Sequence, residues 1–101
     1  MQVETNSSSI IASAPATVSV LSASSTVIVV ANVKRKGLVI SNSHATQGVW
    51  IAFGVAAVLN TGILIPARTS FVMNEYTYNI GAVNGIAETG NTTVGVQEFT
   101  Y

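Results

Sequence analysis

An all-β sandwich is the fold this sequence predicts, and three observations predict it. Short runs of Val, Ile, Thr and aromatic residues recur between clusters of Gly, Asn and Ser. In the clearest runs apolar and polar residues alternate with the two-residue period of a half-buried strand. The apolar share is 49%, yet Val27 to Val33 and Val49 to Leu59 fall well short of the roughly 20 residues that a membrane-spanning helix needs. The expectation is a single antiparallel β-sandwich or jelly-roll-like domain of about eight strands, with helix nearly absent.

Residues 1–13 are rich in Ser and Asn and cannot bury enough apolar area to order themselves, which predicts a flexible N-terminal arm ordered only against a partner. Residues 14–101 form the domain, beginning near Pro15. The strands expected in order are Thr17 to Leu21, Thr26 to Val30, Gly37 to Asn42, Val49 to Gly54, Gly62 to Ile65, Ser70 to Glu75, Tyr78 to Glu88 and Thr92 to Phe99.

Alternation sets the faces. Val49, Ile51 and Phe53 point to the core while Trp50 and Ala52 point away. Leu38 and Ile40 share a face, as do Val94 and Val96, with Lys36 and Ser41, or Thr93 and Gln97, toward solvent. Val27, Ile28, Val29 and Val30 are apolar on both faces, which predicts a strand covered on both sides, by a subunit or by the arm. Ala56 to Gly62 is compatible with one helical turn, closed by Asn60, Thr61 and Gly62. Gly81 and Gly85 mark a bulge or bend in the long strand from Tyr78, and Gly90 and Asn91 a hairpin turn.

Charge is scarce: four basic and four acidic side chains, 8% of the residues, with a formal net charge of zero. A typical soluble domain carries about a quarter charged residues. A chain this poor in charge either hides surface in an assembly or stays wet through Ser, Thr, Asn and Gly. Balanced charge also speaks against nucleic acid, because neutralising phosphates needs a basic excess. Met1 to Ser9 carries Glu4 where a secretory leader would carry Lys or Arg, so no export signal is expected. No cysteine is present, which excludes disulfides and thiolate metal sites.

The inventory for catalysis is nearly empty. His44 is the single histidine and aspartate is absent, so a Ser-His-Asp triad cannot be built. Glu75, Glu88 and Glu98 stand near strand ends, where such residues face solvent. No Gly-rich phosphate loop and no cluster of oxygen ligands is present. The expectation is a protein without catalytic, cofactor or metal residues. His44 reads as a solvated loop histidine, with a pH-sensitive subunit contact as the alternative.

Candidate contact residues remain. Lys34, Arg35 and Lys36 read as a charged strand entrance that discourages indiscriminate edge pairing, or as an ionic contact to an acidic surface on another subunit. Arg68 is a further cation. Trp50, Tyr76, Tyr78 and Tyr101 read as core or intersubunit packing, or as an aromatic platform for sugar or protein.

The runs RKGLVISNS (Arg35 to Ser43), VWIAFG (Val49 to Gly54), GILIP (Gly62 to Pro66), YNIGAVNGIAE (Tyr78 to Glu88) and VGVQEF (Val94 to Phe99), in that order, resemble small β-sandwich virion proteins of tailed bacteriophages. The resemblance covers most of Thr17 to Phe99. It implies a capsid decoration or cement protein, or a related head-fibre or tail component, assembled as a trimer on the major capsid protein. It brings no catalytic residues and no cofactor, and places the protein on the capsid exterior after synthesis in the host cytoplasm; no nucleic-acid partner and no membrane are expected, from the charge balance and the short apolar runs. The alternative in the same setting is a carbohydrate- or receptor-binding module using Trp50, Tyr76 or Tyr78.

Overall fold

The computed structural model describes residues 10–101, and among them it contains β-strands and turns but no helix. Nine strands follow in order: β1 (Ile11–Ala12), β2 (Ala16–Val20), β3 (Thr26–Val29), β4 (Arg35–Asn42), β5 (Val49–Phe53), β6 (Ile63–Ile65), β7 (Thr69–Val72), β8 (Val83–Ala87) and β9 (Thr92–Thr100). All pairings are antiparallel. The first sheet runs β2-β9-β4-β7, with β1 continuing the β2 edge of β9, and the second runs β3-β8-β5-β6.

The pairing is nested. β2 lies beside β9, β3 beside β8, β4 beside β7 and β5 beside β6, while β4–β9 and β5–β8 close the two sheets. One long folded ribbon rolled onto itself gives this order, which is that of the jelly roll. The predicted β-sandwich is therefore the observed fold.

Alternation builds the core as expected. Val20, Leu38, Ile40 and Val94 from the first sheet meet Ile28, Val49, Ile51, Ile65, Val83 and Ala87 from the second. Each buried Val, Leu or Ile here contributes about 1.5–3 kcal/mol by leaving water. Phe53 and Phe71 join the sheets across the rim, with centroids 6.1 Å apart and rings tilted by 51°. Gly85 packs tightly inside β8: a Cβ there would lie 2.5 Å from Cδ1 of Ile28, so the Ile28 side chain would have to give way.

Three local expectations are corrected. Residues 10–13 of the predicted arm are not free: Ile11 and Ala12 pair with Thr100 and Phe99, and Ser13 donates its N–H and its hydroxyl to the Glu98 carbonyl. The rest of the arm lies outside the described residues. Ala56 to Gly62 is the hairpin loop between β5 and β6 rather than a helical turn: Ser25 Oγ accepts from the Ala57 N–H and Asn60 takes a left-handed φ of 66°. Gly90 and Asn91 do not make a hairpin, since β8 and β9 belong to different sheets. β3 is an edge strand, and Val27 (53%) and Val30 (71%) are exposed among the described residues of one copy; the subunit or arm expected to cover this strand lies outside them.

Candidate functional site

The basic trio does not act as one patch, because a bulge divides it. Between Arg35 and Gly37 the register of β4 on β9 slips, so Arg35 turns inward while Lys36 turns outward. Arg35 is fully buried. Its Nε donates to Oε2 of Glu98 at 2.6 Å, Nη1 to the carbonyls of Asn79 and Gly81, and Nη2 to the carbonyl of Val30. Asn32 Nδ2 donates to the other Glu98 oxygen at 3.3 Å. One guanidinium thus ties the loop after β3 and the loop before β8 to the end of β9.

This corrects two expectations. Arg35 is neither an edge guard nor available to another subunit, and Glu98 is an internal partner rather than a solvent-facing acid. The carboxylate was visible in principle: Glu98 has the parity of Val94 and Val96, whose side chains enter the core, and an inward carboxylate demands a cation.

Around this node the other candidates divide. Tyr78 donates its hydroxyl to the Arg35 carbonyl. Tyr101 lies under the Lys36 ammonium, 5.0 Å from the ring centroid, and its N–H donates to the Lys34 carbonyl. Tyr76 sits in a turn held by Asn74 and Thr77 and is 87% exposed. A groove of about 450 Å³ here is lined by Lys36, Met73, Asn74, Glu75 and Tyr78. Arg68 lies at the opposite end of the sandwich, preceding β7, with a left-handed φ of 59°. Trp50 stands apart on the outer face of the second sheet, opposite Leu64 and Ile86. Its indole Nε1 is buried without a hydrogen-bond partner among the described residues. Trp50 and the tyrosines therefore occupy different elements and share no single platform.

At the Arg68 end a second polar network was missed by sequence reasoning. Asn42, almost fully buried, donates Nδ2 to the carbonyls of Gln47, Ile65 and Pro66. His44 is half-buried, and its Nδ1 accepts the N–H groups of Thr46 and Gln47, which makes it the organiser of its own turn. Gln47 Oε1 then accepts from Thr89 and Gly90 across the loop between β8 and β9. Asn, His and Gln within six residues of a strand end are the signal, but their partners are backbone groups that sequence does not place.

The outer faces carry almost no charge. On the first sheet, Thr17, Val39, Ser41, Gly95 and Gln97 line a shallow groove of about 540 Å³. On the second, Val27 and Leu64 are exposed, as are Val55, Val58 and Leu59 in the loop between β5 and β6. Among the described residues no group of three or more acidic or histidine side chains converges as a metal site would require, and no helix is long and apolar enough to cross a membrane. Chemically, these surfaces offer apolar contact and open strand edges. No family model matches this chain, and neither a curated protein nor a solved structure matches it.

Proposed function

We propose that this chain is a non-enzymatic virion structural protein, a decoration or cement subunit of a tailed-phage capsid. It self-associates and clamps neighbouring major capsid subunits on the particle exterior. The observation that carries the reading is the set of exposed apolar side chains Val27, Val55, Val58 and Leu64 on the strands and the β5–β6 loop of the second sheet, in a chain with 8% charge. Exposed apolar side chains with so little charge to keep copies apart favour contact with another protein. The jelly-roll order agrees, being an architecture of capsid as well as lectin domains, and so does the resemblance carried by the strand sequences.

The mechanism is mechanical. Apolar side chains leave water at each contact, and repeated copies on a lattice add avidity that no one contact supplies. Lys34, Lys36 and Arg68, all exposed, supply charge at the rim, where it governs encounter and register more than affinity.

Co-sedimentation with phage heads stripped of accessory proteins tests the reading, together with light-scattering mass of the free protein. Saturable binding to heads and a mass above the 10.4 kDa of one chain are expected. A strict monomer that leaves the heads bare overturns it. Saturable binding on a glycan array, lost in Trp50→Ala, would favour a carbohydrate-binding role instead.

A further inference from the structure

We propose that the free edge of β7 is the self-association seam, on which a second copy of this chain pairs its own β7 antiparallel about a two-fold axis. The inference rests on the self-association in the reading above and names the strand, the register and the charges that make it. A two-fold seam also departs from the three-fold assembly that the resemblance implies.

Among the described residues the sandwich has four strand edges, and three are blunted. β3 carries a register slip between Val27 and Val29. Along the β1–β2 edge Ala12 faces Phe99 but Ala16 faces Val96, so one extra residue bulges across Ser13 to Pro15. β6 is three residues long and is followed by Pro66. Bulges, prolines and short strands are the devices by which sheets refuse further strands. β7 has no slip against β4, no proline and no charged residue within it.

Its free groups are also defined. The Met73 N–H donates to the Leu38 carbonyl at 2.9 Å. Hydrogen bonding alternates along an antiparallel strand, so Thr69, Phe71 and Met73 address β4, whereas Ser70 and Val72 turn their N–H and C=O groups outward. Among the described residues no strand receives them. Val72 is 61% exposed and Ser70 is exposed as well.

The charges at the two ends of this strand select the partner. Arg68 precedes β7 and Glu75 follows it; both are exposed, and neither is within ion-pair distance of an opposite charge among the described residues. Antiparallel pairing of Ser70 with Val72 of the second copy brings Arg68 to the Asn74–Glu75 turn of that copy. The two-fold axis makes the same contact twice. A strand with one charge sign at each end is complementary to itself reversed, and a self-complementary patch is what a two-fold interface requires.

Sedimentation equilibrium on the full chain tests the seam, with Arg68→Glu, Glu75→Arg, the double swap and Val72→Pro. The proline removes only a donor that points away from β4. Circular dichroism and the thermal transition of each variant establish that it folds. We expect a wild-type dimer that weakens about three- to tenfold in each single reversal, as two solvent-exposed ion pairs turned repulsive would produce, and that regains its strength in the double swap. Val72→Pro should be monomeric. A wild-type oligomer that every variant leaves unchanged overturns the seam while sparing self-association, and a folded wild-type monomer overturns both.

Discussion

Arg35 and Glu98 meet at 2.6 Å with the arginine entirely out of solvent and the glutamate side chain 17% exposed. The pair joins adjacent strands of one sheet, while the remaining guanidinium protons hold carbonyls of Val30, Asn79 and Gly81, which flank strands of the other. Two charges leave water here, a cost that only complete hydrogen bonding offsets. The result is an electrostatic pin through the sandwich at one end.

Breaking that pin from one side should be severe. Glu98→Ala leaves a buried cation and is expected to lower stability by about 3–5 kcal/mol, read from urea unfolding. Glu98→Gln keeps oxygen acceptor capacity and should cost clearly less. Equal losses in the two variants would show that packing, not charge, governs the site.

The Asn42 amide offers a second test. Asn42→Ala strands the carbonyls of Gln47 and Ile65 that Nδ2 now serves and should cost about 2–3 kcal/mol. Asn42→Asp turns a donor into an acceptor facing those carbonyls, so its thermal midpoint should fall below that of the alanine variant.

Gly85 and Ile28 are coupled by volume. A methyl group at Gly85 would press on Ile28 Cδ1 at 2.5 Å and on Val49 Cγ1 at 3.3 Å, so Gly85→Ala should cost about 1–3 kcal/mol. Shortening the neighbour in Gly85→Ala/Ile28→Val should recover part of this loss. Additive losses in the double-mutant cycle would count against direct contact.

The apolar face of the second sheet can be charged without touching the core. Val27→Lys/Leu64→Lys changes two exposed positions, so unfolding should move by no more than about 0.5 kcal/mol per site. Association with stripped phage heads should fall at least tenfold in a co-sedimentation titration. Unchanged association would place the particle contact elsewhere.

Strand identity was legible because burial follows parity: Val49 and Ile51 are wholly buried and Trp50 is not, as alternation demands. The Arg35 site was illegible because it depends on a bulge. Arg35 was read with Lys34 and Lys36 as an exposed charged entrance, and the slip between Arg35 and Gly37 turns Arg35 alone inward while Lys36 stays toward solvent as expected. Likewise Gly90 and Asn91 have turn chemistry in either case, but whether a turn returns to the same sheet or crosses to the other is decided by nested pairing. The exposed Val27 and Val30 show the complementary limit. Two apolar faces on one strand were readable, but what covers them is not encoded in one copy.

The nested strand order has a consequence for how the chain comes into being on the ribosome. β9 lies alongside β1, β2 and β4, so no earlier stretch of the nascent chain can close the first sheet before β9 has emerged. Until then the valine-rich segments wait without partners, the state in which slowly forming, non-local β topologies are most open to misassembly. Production of this protein should therefore be limited by the late arrival of β9 more than by the stability of the finished fold.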